Sequence, residues 1–178
     1  YVVVLHVNPG EPVTVSTLDI RIDGDTDGQR AVQKALTAFT PAQGQALNQA
    51  AYEKSKATIQ AALFASGYLD AQLITHRVEV QRTTNRAEVH LAWKVGTRFR
   101  LGATTFEGGQ FPDAFMQRYV PWRAGDFYTQ DRVLALQQRL IDADYFSIAQ
   151  VQPDIEHAHD GVVPIAVMLA PAKRTIYT

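Results

Sequence analysis

Apolar residues recur at every second position along Ala87–Val95. Ala87, Val89, Leu91, Trp93 and Val95 share one face, while Arg86, Glu88, His90 and Lys94 fall on the other. A period of two predicts a strand packed on one side and wet on the other. VTVSTLDIRIDG alternates in the same way, with Leu18, Ile20 and Ile22 opposite Asp19, Arg21 and Asp23. After the loop DGDTDG the period lengthens. Val32, Leu36 and Phe39 predict a helix of about ten residues, stopped by Thr40-Pro41. Asn48, a capping residue type, then precedes AAYEKSKATIQAALFASG, a second helix carrying Tyr52, Ile59 and Leu63 on one face. Gly67 supplies a left-handed residue to end it. Tyr68 leads into a predicted strand, Ala71–Val80, joined to Ala87–Val95 by the polar turn QRTTNR.

The order strand, helix, helix, strand, strand then restarts without a linker. Arg98–Phe106 reads as a strand, and Phe106-Glu107-Gly108 takes the place of Ile22-Asp23-Gly24. Pro112–Tyr119 is a short helix closed by Pro121, and Gly125 plays the part of Gly44. Thr129 caps QDRVLALQQRLIDAD, in which Leu136 and Leu140 hold the places of Ile59 and Leu63. Asp144-Tyr145 replaces Gly67-Tyr68, and in both copies the second leucine lies five residues before the tyrosine. Asp is one of the few residues besides glycine that tolerates a left-handed backbone. Strands follow near Phe146–Val151 and Val162–Leu169 around the turn HAHDG. The register near Ile148 stays open by one residue, and Pro164 is expected close to a strand start.

Such a repeat predicts an α+β protein of two tandem β-α-α-β-β domains, each a three-stranded mixed sheet covered by two helices. The last two strands of a unit form an antiparallel hairpin, and the first pairs in parallel with the third. That order leaves Ala71–Val80 on an open edge. The expected domains are residues 13–96 and 97–172, divided near Gly96. VGTRFR runs from one unit into the next, so a stiff boundary is expected. YVVVLHV looks like the last strand of a preceding domain, residues 1–12, and should borrow a sheet edge to satisfy its backbone.

Composition narrows the function. An apolar content of 46% with 20% charged residues describes a chain able to build cores. The net charge of −1 without a basic block argues against nucleic acid. The chain has no cysteine, hence no disulfide or thiol chemistry, and no apolar run approaches the roughly 20 residues of a membrane span. Asp23-Gly-Asp25-Thr-Asp27-Gly28 opens like a calcium-binding loop, but Lys34 stands at the twelfth position where a bidentate glutamate is needed. It reads better as a solvated turn. His157 and His159 flank an alanine without further ligands nearby, so they read as surface histidines. No nucleophile elbow or phosphate-cradling glycine loop is present, and no catalytic residue, metal or cofactor is expected. Trp93 and Trp122 are expected in packing.

YEKSKATIQAALFASGYLDA, VGTRFRLGATTFEGG, RYVPWRAGDFYTQDRVLALQQRLIDADYF and VPIAVMLAPAKRTIY together resemble the polypeptide-transport-associated (POTRA) domains of the Omp85 superfamily, particularly its TamA-like translocation and assembly subunits. The resemblance covers nearly the whole chain, with Asp144 departing from the glycine favoured there. It implies the second and third of three periplasmic domains at the bacterial outer membrane. Residues 173–178 would begin the connection to a C-terminal β-barrel in cis. The implied role is a scaffold for insertion or secretion of outer-membrane proteins, including autotransporters, with a TamB-like inner-membrane-anchored partner. BamA-like insertases, two-partner secretion transporters and cell-division scaffolds are the alternatives. Backbone groups along Ala71, Leu73, Ile74, His76, Val78 and Val80 form the candidate edge for clients or partners. Gly67, Tyr68, Gly96, Gly108, Gly125, Tyr145 and Phe146 are the structural motif positions.

Overall fold

A computed structural model describes residues 10–172. The expected strand Tyr1–Val7 and the expected barrel connection 173–178 lie outside the described residues. Two compact units are present: one comprises the residues up to Ala62 with Gln72–Lys94, the other Leu63–Ala71 with the residues from Val95 on.

In the first unit, β1 (Thr14–Asp23), α1 (Arg30–Thr37) and most of α2 (Gln49–Ala65) precede β2 (Gln72–Gln81) and β3 (Arg86–Lys94). The sheet order is β1-β3-β2, with β1 parallel and β2 antiparallel to β3. The alternation of β3 is realised: Ala87, Val89, Leu91 and Trp93 are all buried, and Val95, also buried, lies past the strand's end in the second unit. Val32, Tyr52 and Ile59 are buried from the helices. Asn48 caps α2, its Oδ1 accepting from the Ala51 N–H at 2.9 Å. Burying Ile59 contributes about 1.5–3 kcal/mol.

The second unit repeats the plan with β4 (Arg100–Glu107), α3 (Asp113–Met116) continued by a 3-10 turn at Gln117–Tyr119, α4 (Gln130–Asp142), β5 (Phe146–Pro153) and β6 (Val162–Pro171). Its sheet order is β4-β6-β5. Val163, Ile165, Val167 and Leu169 form the buried face of β6, against Val133, Leu136 and Leu140 of α4. Trp122 and Tyr128 also lie in this core, and burial pushes the Tyr128 hydroxyl up to about 12. The expected strand Arg98–Phe106 starts two residues later, because the Phe99 N–H and C=O bond to Gly67 and Tyr128.

Strict alternation fails on every outer strand, and for one reason. Each carries a single extra residue near its start that shifts its phase against the central strand. Ser16 is the extra residue of β1, so Val15 joins Leu18, Ile20 and Ile22 on the inner face. Ile74 is that residue in β2, and Ser147 in β5. In β4, Gly102 and Ala103 together face Pro164, which sits inside β6 at its third position. Proline has no N–H for the ladder, and the bulge spares β4 from needing one. A Cβ on Gly102 would lie 2.9 Å from Val162 Cγ1, so the bulge requires glycine.

The end of α2 has a definite mechanism. Gly67 is left-handed at φ 103. Its N–H bonds the Phe64 carbonyl and that of Tyr68 bonds Leu63, satisfying the last helical acceptors. Within the same unit the Gly67 carbonyl accepts from the Phe99 N–H at 2.8 Å. Asp144 takes the equivalent place at φ 58. A Cβ on Gly67 would meet the Tyr128 carbonyl oxygen at 2.7 Å. Gly67→Ala is therefore expected to cost about 2 kcal/mol or more, through left-handed strain and the backbone clash. Asp144→Gly should change stability by less than about 1 kcal/mol. Urea unfolding of the 178-residue chain checks both; similar shifts for the two would refute this account.

Candidate strand-edge site

Each sheet has two outer strands, and the structure treats them differently. The outer side of β1 is partly occupied by the loop that leads into α2. Val15 N–H donates to Gln45 (2.9 Å), Gly44 N–H to Val15 (2.8 Å) and Leu47 N–H to Val13 (2.7 Å). The second unit repeats this staple. Leu101 N–H donates to Asp126 (2.8 Å), Gly125 N–H to Leu101 (3.0 Å) and Tyr128 N–H to Phe99 (2.9 Å). Gly44 and Gly125 turn at φ 87 and φ 89. The correspondence of Gly125 with Gly44 thus has a structural basis.

Among the described residues, no strand lies on the outer side of β2 or β5. In β2 the pairing with β3 runs in regular register from Thr75 opposite Ala92 to Gln81 opposite Arg86. The usable stretch of β5 is shorter, from Ile148 to a terminal Pro153. β2 therefore presents the longer regular edge.

The expected edge residues are distributed as follows. Ala71 is buried and precedes the strand, which begins at Gln72. Leu73, His76, Val78 and Val80 pair with Trp93, Leu91, Val89 and Ala87, so they occupy the helix-side face. Ile74 is the bulged residue and is 54% exposed; Val80 is 45% exposed. Unlike β3, β2 is not packed along one face: only Leu73 and Val78 are even half-buried. The helix layer does not reach over the rest of the strand.

A groove of about 240 Å³ follows the helix-side face where β2 begins, between Leu73 and Trp93 on the sheet and Glu53, Lys56, Ala57 and Gln60 on α2. Trp93 Nε1 donates to Gln60 Oε1 at 3.0 Å, and Lys56 is ion-paired with Glu53 at 2.9 Å. The opposite face of the sheet is polar. Asp19, His90 and Arg77 stand in one row across the three strands. Asp19 pairs with Arg21 at 2.8 Å, and the Arg21 hydrogen bond holds its carboxyl below the usual range.

The motif positions are placed as follows. Tyr68 and Phe146 are buried, Tyr145 is half-exposed, and Gly96 and Gly108 adopt φ 67 and φ 75. Tyr145 and Phe146 join Phe111, Phe115 and Tyr119 in an aromatic cluster that the sequence reading did not anticipate. Paired aromatics spaced by four along 111–119 were the available signal. In the calcium-like loop, Asp25 Oδ1 accepts from the Asp27 N–H at 2.9 Å, forming a local turn. No cluster of three metal-ligating side chains occurs among the described residues. His157 Nδ1 lies 2.8 Å from Asp154 Oδ2 in the β5–β6 turn. Trp93 and Trp122 are core residues.

This architecture defines a class: tandem POTRA-like domains, α+β, with two three-stranded mixed sheets. Residues 99–167 match the POTRA family, described as surface antigen variable number repeat. The fold is similar to POTRA domains 3 to 5 of BamA from Haemophilus influenzae, with a TM-score of 0.61 and 18% identity over 88% of this chain and 61% of that one. It is also similar to BamA from Haemophilus ducreyi lacking POTRA domains 1 to 3, with a TM-score of 0.63 and 18% identity over 88% of this chain and 29% of that one. POTRA domains 1 and 2 of Omp85 from Anabaena match with a TM-score of 0.55 and 16% identity, over 93% of this chain and 99% of that one. The chain thus spans less than two thirds of either BamA chain. At these identities the likeness is one of fold.

The Asp154–His157 pair makes a pH-dependent statement about the β5–β6 turn. The hydrogen bond from His157 lowers the Asp154 carboxyl, and the same bond raises the imidazole above its ordinary value of 6.5. The histidine contribution is complete below 6.5 and is lost as pH rises through the raised value; the aspartate contribution is present above 3.8 and is lost as pH falls through the lowered one. The pair is therefore intact between these two folded-state values. NMR titration should place the His157 midpoint above 6.5, moving back toward it in Asp154→Asn. A midpoint indifferent to that substitution would refute the pairing.

Proposed function

We propose that this chain forms periplasmic POTRA domains of an Omp85-type outer-membrane assembly factor of the TamA-like branch. In this reading it is a scaffold, without catalysis, for inserting or secreting outer-membrane proteins, including autotransporters. A β-barrel follows in cis, and a TamB-like inner-membrane-anchored protein is the partner. The family match at residues 99–167 and the tandem fold support the superfamily; the motifs quoted above favour the TamA-like branch.

The observation that carries the mechanism is the regular outer edge of β2. An extended segment of a client or partner pairs with the backbone of Thr75–Gln81, and its alternate side chains turn toward the flank of α2. Backbone pairing depends weakly on sequence, which suits a scaffold with many clients. β1 and β4 are poorer acceptors because the loops ahead of α2 and α4 already bond to them.

Successive residues of an antiparallel strand aim their N–H groups to opposite sides. One of His76→Pro and Arg77→Pro therefore removes a donor from the outer side, and the other removes one facing β3. The outer-side variant should fold with a thermal midpoint within about 5 °C of the parent. Client assembly in cells should fall with it by roughly tenfold, from a lost hydrogen bond and a ring in the pairing path. His76→Ala and Arg77→Ala should assemble clients normally. Equal defects from alanine and proline would sink strand addition in favour of side-chain recognition. Recovery of a TamB-like protein with the full-length protein supports the TamA-like branch; its repeated absence redirects the reading to a BamA-like insertase or a two-partner secretion transporter.

A further inference from the structure

Residues 95–172 carry six arginines and no lysine, and three of the arginines meet at one place. Arg98, Arg100 and Arg132 line a cleft of about 360 Å³ together with Asp126 and Phe127, all within the second unit. Each guanidinium is tethered to a backbone carbonyl of that unit. Arg98 Nε donates to Ser66 at 2.8 Å, Arg100 Nη1 to Gly125 at 2.7 Å and Arg132 Nη1 to Phe127 at 2.7 Å. The Arg98 and Arg100 guanidinium carbons lie 4.4 and 4.1 Å from the centroid of the Phe127 ring. Two like charges are thus held against one aromatic ring.

The charge in the cleft is only partly compensated. Among the described residues Asp126 is the one carboxylate lining it, 3.7 Å from Arg132 Nη1, and its Oδ2 also accepts from the Arg123 backbone N–H at 3.1 Å. One negative charge faces three positive ones. A guanidinium has five donors, and the tether on each consumes a single one. The tethers also fix the side chains before any ligand arrives, so little rotamer freedom remains to be lost on binding.

We propose that this cleft binds a phosphate group. A phosphate brings up to two negative charges and several acceptor oxygens, which matches the surplus of charge and the three forks. A carboxylate offers one charge and two oxygens and would leave a guanidinium unanswered. The phosphate can belong to a lipid headgroup or to a soluble compound; the recognition chemistry is shared. The site lies in a different unit from the β2 edge and is tested without clients, so it stands or falls independently of the strand-addition reading.

The test is an NMR titration of the 178-residue chain, following the arginine Nε–Hε resonances as inorganic phosphate replaces chloride at constant ionic strength. Saturable shifts confined to Arg98, Arg100, Arg132 and the backbone of 125–129 are expected. In the Arg100→Gln, Arg132→Gln double variant the affinity should weaken at least about tenfold. Those arginines also hold loop carbonyls, so the parent titration is decisive if the variant fails to fold. Shifts that stay linear in phosphate, that spread over the arginines of the whole chain, or that acetate reproduces with equal affinity would overturn the proposal. Flotation with phosphatidylglycerol-containing and phosphatidylcholine-only vesicles separates the sources. Retention on the former that inorganic phosphate releases identifies a lipid headgroup; phosphate binding without retention identifies a soluble phosphate, and either result keeps the site.

Discussion

In each unit the strand that the chain makes last lies in the middle of the sheet. β3 and β6 bond to neighbours on both sides, and their alternate residues supply the buried face on which the helices pack. Everything else is arranged by this placement. The hairpin partner, β2 or β5, takes one flank, and the first strand reaches the other only after a crossover of two helices. The loop entering the second helix then passes the outer side of the first strand and bonds to it. One flank is therefore occupied at its start by the connection that makes the fold possible. Among the described residues the hairpin partner has no equivalent loop, and no strand pairs with its outer side.

The central strands were legible because burial on one face imposes strict alternation on the sequence. Ala87 to Val95 could be assigned residue by residue. The outer strands could not, because each contains one extra residue that resets the phase. Val15 falls out of step with Leu18 in the sequence, yet Ser16 brings both to the inner face, its hydroxyl donating to the Ala87 carbonyl at 3.0 Å. Ser147 does the same in β5 and leaves Ile148 pointing outward, 59% exposed. Nothing in composition marks a serine or isoleucine as a bulge. Helix ends were legible for the opposite reason: capping by Asn48 and Thr129, and left-handed turns at Gly67 and Asp144, are decided by a few adjacent residues. The β2 edge followed from the order of elements alone. The groove beside it and the arginine cleft did not, since Glu53, Gln60 and Trp93, or Arg98, Arg100 and Arg132, are joined only by the folded chain.

The two units share a hydrogen-bonding plan and differ in their side chains. The open face of the first sheet is a charged ladder in which Asp19, Arg21, Glu88, His90, Arg77 and Glu79 lie within a few residues of one another. The open face of the second carries Ile148 and Met168, both exposed. The backbone bonds that define the fold place few demands on these positions. Topology thus fixes which edges exist, while the chemistry around each edge is free to diverge.

A strand edge that recruits partners faces a conflict, because an edge that pairs readily also invites aggregation. On the strand-addition proposal, the side chains of β2 resolve this conflict. Its outward face presents Thr75, Arg77 and Glu79, and the last two neutralise each other within the strand at 2.9 Å. From Thr75 to Gln81 only Val78 and Val80 are aliphatic, so a second copy finds little apolar area to bury. The bulge at Ile74 ends the regular register on one side, limiting how long a paired segment can grow. What remains attractive is the backbone ladder itself, assisted at one end by the groove against α2. Pairing of this kind gives each hydrogen bond only about 0.5–1.5 kcal/mol net. On the strand-addition proposal, a short client segment is held and then released, as the proposed scaffold role requires.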